Sequence, residues 1–83
     1  MKNADLIKSF INGATSGKTG HLTIQGNKLI NYYTVIAVRT ENKFYLNNKH
    51  YSKTTTINQN KLRYYIPSLQ LVEISEQEIN KIA

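Results

Sequence analysis

The stretch YSKTTTINQNKLRYYIP, Tyr51–Pro67, decides what kind of fold this chain adopts. Read with a period of 3.6 from about Thr56, it gathers Ile57, Leu62, Tyr64, Tyr65 and Ile66 on one broad apolar arc. Gln59, Asn60 and Arg63 are then left to solvent, and a threonine of Thr54–Thr56 serves as N-cap. Read with a period of two, Leu62, Tyr64 and Ile66 alternate with Lys61, Arg63 and Tyr65 as in a strand. The helix is the preferred reading and the strand stays open for residues 57–66. Pro67 ends the helix, because it biases Ile66 away from helical dihedrals.

The segments around it alternate between short helices and strands. Residues Ala4 to Asn12 place Leu6, Ile7, Phe10 and Ile11 at helical spacing, with Asn3 as the expected N-cap and Gly13 as the C′ residue. Leu22 and Ile24 alternate with His21, Thr23 and Gln25, and Gly26–Asn27 turns the chain into a second strand, Lys28 to Asn31. Tyr32 to Arg39, YYTVIAVR, is the strongest strand signal, and its middle is apolar on both faces, which places it centrally in a sheet. Lys43 to Asn47 follows with Phe44 and Leu46 on one face, and Leu69 to Ile74 is expected as a further strand. SEQE at Ser75–Glu78 is a capping box that starts a terminal helix, Glu76 to Ile82. The expected fold is α+β: one domain over residues 1–83, a small antiparallel sheet of about four to five strands packed by one central helix, with short N- and C-terminal helices.

GATSGKTG, Gly13–Gly20, imitates a phosphate-binding P-loop. The P-loop needs four residues between its glycines and a strand–loop–helix context. Here Gly13 and Gly17 enclose three residues, and the order is helix–loop–strand. The segment is expected to be a Gly/Ser/Thr connector. Ser16, Gly17, Lys18 and Thr19 remain a candidate anion loop in which successive backbone N–H groups form a nest.

Charge narrows the function more than length does. The chain of 83 residues carries a net +6. From Leu6 to Val72 there are nine cations and a single acid, Glu41, whereas the tail from Glu73 holds Glu73, Glu76 and Glu78 against Lys81. A basic body attracts polyanions. There is no cysteine, which fits a reducing compartment. No apolar run approaches the ~20 residues that span a bilayer, and no signal peptide is visible, so a cytoplasmic location and no membrane partner are expected. His21 and His50 lack ligand spacing, so no metal and no cofactor are expected. Asp5, Glu76 and Glu78 are explained by helix starts, so no catalytic residue is assigned and enzymatic activity is not expected.

Six tyrosines interleave with cations, most densely from Lys43 to Tyr65, a segment without a carboxylate. Lys43, Tyr45, Lys49, His50, Tyr51, Lys53, Lys61 and Arg63 are therefore the expected contact surface for a partner or nucleic acid. The cations would meet phosphates or acidic side chains, and the rings would supply stacking or hot-spot area. A chain this small buries a thin core, and homo-oligomerisation would help it.

LINYYTVIAVR (Leu29–Arg39), FYLNNKHYSKTTT (Phe44–Thr56) and NQNKLR (Asn58–Arg63) resemble a family of short phage, prophage and mobile-element proteins of unknown function. Its pattern N-Y-x-T-x-I-A falls on Asn31, Tyr32, Thr34, Ile36 and Ala37, and Y-S-x-T-T on Tyr51, Ser52, Thr54 and Thr55. The resemblance covers about half the chain and implies a helix after Thr55. It also implies a setting: a non-enzymatic accessory protein that interferes with a host nucleic-acid-handling or defence complex, an anti-CRISPR-like inhibitor acting by binding. The alternative is a sequence-tolerant DNA- or RNA-binding protein of the element itself.

Overall fold

Alternating short strands joined by two-residue turns can only fold back on themselves, and they do. In the computed structural model, which describes residues 2–83, α1 (Asn3–Ile11) leads into β1 (Ser16–Thr19), β2 (Leu22–Gln25), β3 (Lys28–Asn31), β4 (Thr34–Arg39) and β5 (Phe44–Asn47). These five strands pair antiparallel, each with the next. Then α2 (Lys53–Tyr65) crosses over, and after a single 3-10 turn at Ser68–Gln70 the chain returns as β6 (Leu71–Ile74), parallel to β5. α3 (Glu76–Ile82) closes the chain. The fold is α+β, with a six-stranded sheet in chain order and β1 and β6 at its edges. The sixth strand is β1, which sequence alone assigns to a connector. Within Tyr51–Pro67 the chain is helical from Lys53 to Tyr65, the preferred of the two readings.

Three hairpins have two-residue loops: Gly20–His21, Gly26–Asn27 and Tyr32–Tyr33. In each, the first loop residue has a positive φ: +54° at Gly20, +64° at Gly26 and +57° at Tyr32. No other non-glycine among the described residues does so, which is the φ pattern of II′ hairpins, where glycine is the rule at the first position. Tyr32 and Tyr33 therefore form a loop rather than the start of β4, and the strand expected from Tyr32 begins at Thr34.

Residues directly opposite in the ladder share a face. Leu22, Ile24, Leu29, Ala37, Phe44 and Leu46 line one face and meet Leu6, Ile7 and Phe10 of α1 and Leu62 of α2 in the main core. Between Leu29 and Ile30 the register slips: Leu29 faces Ala37 and Ile30 faces Val35, so Ile36 is the extra residue of a bulge. The bulge turns both Ile36 and Ala37 to this core. The next residue, Val38, lies opposite Tyr45, itself opposite Val72, on the second face, where α3 packs on β4 and β5 and buries Ile79. That is why the middle of β4 reads as apolar on both sides.

The N-terminal helix begins one residue earlier than expected. Lys2, not Asn3, is its N-cap, and the Lys2 backbone N–H donates to Asp5 Oδ2 at 3.2 Å. At its other end Arg39 of β4 supplies cationic N–H donors to backbone carbonyls. Its Nη1 donates to the carbonyls of Phe10 (2.5 Å) and Ala14 (3.0 Å), its Nη2 donates to Gly26 O (3.3 Å), and the guanidinium lies over the Phe10 ring. Gly17 of β1 meets α1 so closely that a Cβ there would lie 2.8 Å from Leu6 Cδ1.

The helix α2 departs most from its apolar arc. Ser52 is the N-cap, accepting from Thr55 N, so the helix starts before Thr56. Its buried stripe is Thr55, Asn58, Gln59 and Leu62, spaced i, i+3, i+4, i+7, whereas Ile57 is 45% exposed and Tyr64 82% exposed. Gln59, expected in solvent, is buried. The stripe is held by hydrogen bonds: Asn31 Nδ2 donates to Thr55 Oγ1 (2.7 Å), Asn58 Nδ2 to Asn31 Oδ1 (3.1 Å), and Gln59 Nε2 to the carbonyls of Asn47 (2.7 Å) and Lys49 (3.1 Å). Among the described residues no buried side-chain N or O lacks a partner. Orphaning one such group costs about 1–3 kcal/mol.

Asn58→Ala is therefore expected to lower stability by about 1–3 kcal/mol in urea titrations, and Ile57→Ala by no more than ~0.5 kcal/mol. A cycle with Asn31→Ala should show coupling of about 0.5–3 kcal/mol. Simple additivity would mean the two amides do not depend on each other.

Candidate functional site

Three of the eight residues expected to face a partner, Lys49, Tyr51 and Arg63, are engaged by the chain's own acids. Parallel return of β6 brings Glu73 alongside α2, and α3 starts with Glu76 beside the loop after β5. Arg63 donates to Glu73 Oε1 from Nη2 (2.8 Å) and Nε (3.1 Å), and to Asn60 Oδ1 from Nη1 (2.8 Å). Lys49 Nζ lies 3.3 Å from Glu76 Oε1. Lys43 Nζ donates to the Leu69 carbonyl at 3.2 Å, and Tyr45 is half-buried between Val38 and Val72 in the ladder. His50 and Lys53 are exposed and Lys61 half-buried. The surface expected to be free of carboxylates is thus interrupted by two of them. The sequence separates these acids as a tail, and only the parallel register of β6 unites them with their cations.

Tyr51 is the centre of this network. Its hydroxyl accepts from Asn47 Nδ2 (2.8 Å) and donates to Glu76 Oε2 (2.5 Å). Burial pushes the Tyr51 hydroxyl up to about 12, helped by its hydrogen bond to Glu76. The Glu76 carboxyl is held below its usual value, first by the bond from Tyr51 and then by that from Lys49. The arrangement ties the start of α3 to the end of β5.

Ser16, Gly17, Lys18 and Thr19 do not form an anion nest. They are strand β1, paired along its length with β2, and a strand turns successive N–H groups to opposite sides. Lys18, however, belongs to a different constellation. The β1–β2 and β3–β4 loops lie at the same end of the meander, where Tyr32 N donates to His21 O at 2.8 Å. There the His21 and Tyr32 rings stack, with centroids 4.0 Å apart and planes 17° apart. With Lys18, Gly20, Thr23 and Tyr33 they line a cavity of about 290 Å³. No carboxylate lines it. Tyr33 is fully exposed and Tyr32 51% exposed. A non-glycine residue at positive φ costs about 1–3 kcal/mol, and the turn that holds Tyr32 there leaves both tyrosine rings exposed.

Sequence reasoning passes over this corner because tyrosine reads as a strand residue. The available signal is the spacing: two residues separate KLIN from TVIAVR, the separation of the other hairpins. Among the described residues no three His, Cys, Asp or Glu side chains come together as metal ligands, and no helix is long and apolar enough to cross a membrane. No family model, curated protein or solved structure matches the chain.

The network makes a pH prediction. Tyr51, raised in the folded state, stabilises the fold fully below the ordinary tyrosine value of 10.0, and this contribution is lost as pH rises toward about 12. Glu76, lowered in the folded state, stabilises the fold above the usual glutamate range and ceases to do so as pH falls below it. Phenolate absorbance should therefore include a step near 12, and Tyr51→Phe should remove it.

Proposed function

We propose that this chain acts by binding, as a non-enzymatic accessory protein of the phage or mobile-element kind, and that it engages a host nucleic-acid-handling or defence complex through that complex's nucleic acid. The observation that carries this reading is the hairpin corner, where one cation and three exposed aromatic side chains meet with no carboxylate among them. Cations meet phosphates, rings meet bases, and a carboxylate would repel both functions. An acidic protein surface would satisfy Lys18, but it does not call for a stacked pair of flat rings as a base does. The basic body adds long-range attraction for the same ligand. This supports an anti-CRISPR-like inhibitor that grips a guide or target strand rather than one that mimics a strand, since mimicry needs the opposite charge. The same corner also favours the second reading, a sequence-tolerant DNA- or RNA-binding protein of the element itself.

Binding of the chain to single-stranded and duplex oligonucleotides at several salt concentrations tests the proposal. The logarithm of affinity should fall linearly with the logarithm of salt, and Lys18→Ala should reduce that slope by about one. Lys49→Ala and Arg63→Ala should leave it unchanged, because those cations are already engaged by Glu76 and Glu73. Capture from host lysate with and without nuclease separates the two readings. A defence complex retained after nuclease trimming supports the inhibitor, and only bulk nucleic acid, lost on treatment, supports the element's own binding protein. No salt-dependent binding to any nucleic acid or nucleoprotein overturns both.

A further inference from the structure

We infer that the hairpin corner is a seat for one unpaired nucleobase, which lies against the His21–Tyr32 stack beside Tyr33 with its flanking phosphate at Lys18. The inference rests on the nucleic-acid reading above and names the element of the ligand that this corner takes.

Three observations lead to it. First, the chain contains its own control for the strained residue. Two of its three hairpins put glycine at the positive-φ position, Gly20 and Gly26, and only the third puts a tyrosine there. Glycine would satisfy the same turn without strain, so the turn does not explain the side chain. Second, burial does not explain it either. Tyr32 keeps half its surface in solvent, Tyr33 all of it, and neither belongs to the hydrophobic core. Third, the His21 and Tyr32 rings stack on each other despite their exposure. The backbone bond from Tyr32 N to His21 O joins the two loops and sets the rings nearly parallel. A pre-set pair of flat rings beside a cavity accepts another flat ring at little further cost in order.

The ligand class follows from that geometry. The cavity, about 290 Å³, is at the small end of ligand sites, the scale of one planar heterocycle with its sugar rather than of a strand or a helix. Stacking tolerates every base because each has a π-face, whereas a base inside a duplex has both faces covered by its neighbours. Single strands, loops, bulges and the displaced strand of an opened duplex meet the requirement, and blunt duplex does not. Thr23, half-buried in the lining, offers a hydroxyl that can donate or accept toward any base edge, so the seat has little sequence preference.

The test uses the full chain and oligonucleotides of about ten nucleotides: a single strand, the same strand with abasic sites throughout, and its blunt duplex. The single strand should bind about ten- to a hundredfold more tightly than the abasic strand, the range expected when one base–aromatic stack is lost. Tyr33→Ala and Tyr32→Asn should weaken single-strand binding by a similar factor while leaving the salt slope unchanged, because no phosphate contact is removed. Tyr32→Asn should also leave the melting temperature unchanged or raise it, since asparagine tolerates this φ better than tyrosine. A merely structural Tyr32 would instead lower it. Salt-dependent binding that is equal for the normal and abasic strands overturns the base seat and leaves the wider proposal standing. Tighter binding of an acidic peptide than of any oligonucleotide overturns both.

Discussion

The helix α2 is held to the sheet by amides. Asn31 at the end of β3 is the pivot, donating to Thr55 and accepting from Asn58, while Gln59 reaches two carbonyls around the end of β5. Apolar contacts vary smoothly as a helix slides, but these hydrogen bonds exist in one register only. A shift of one turn, about 5.4 Å, would break all four. Everything after α2 inherits that register: the parallel strand β6, the position of Glu73 beside Arg63, and the start of α3 at Tyr51. Asn31 also directly precedes the Tyr32–Tyr33 loop, so the same bonds that fix the helix hold the base of the candidate site.

What was legible in the sequence was whatever obeys a period or a local motif. Leu22, Ile24 and Leu29 announce their strands by alternation, and Ser75 with Glu78 announces α3. What was hidden depends on partners far along the chain. Asn58 and Gln59 occupy core positions of α2, yet as isolated letters they are solvent residues, because only Asn31 and the Asn47 and Lys49 carbonyls make their burial affordable. Ile57 and Tyr64 are the converse, apolar letters on the outer face. The strand β1 was hidden because Ser16–Thr19 contains no apolar residue, and its pairing rests on backbone bonds and on α1 approaching Gly17.

The candidate site was half legible for the same reason. Composition drew attention to tyrosines among cations and weighted the segment in which they are densest. Pairing with Glu73 and Glu76 consumes two of its principal cations, and exposed pairs of this kind hold geometry more than they add stability, at about 0–1 kcal/mol each. The corner at Lys18, His21, Tyr32 and Tyr33 has fewer charged letters but no competing acid. Local density of charge in sequence is therefore a poor guide when a crossover can import the opposite sign.

The one parallel pairing in the sheet also sets an order of events. The hairpins from Ser16 to Asn47 join residues close in sequence, whereas β5 meets β6 through partners as distant as Phe44 and Leu71. Closing the longer loop costs more entropy and waits for α2 to dock. A nascent chain accordingly completes the aromatic corner before Glu73 and Glu76 arrive to neutralise Arg63 and Lys49. During that interval the partly folded protein lacks those two carboxylates, so its surface carries more unpaired positive charge than the finished fold.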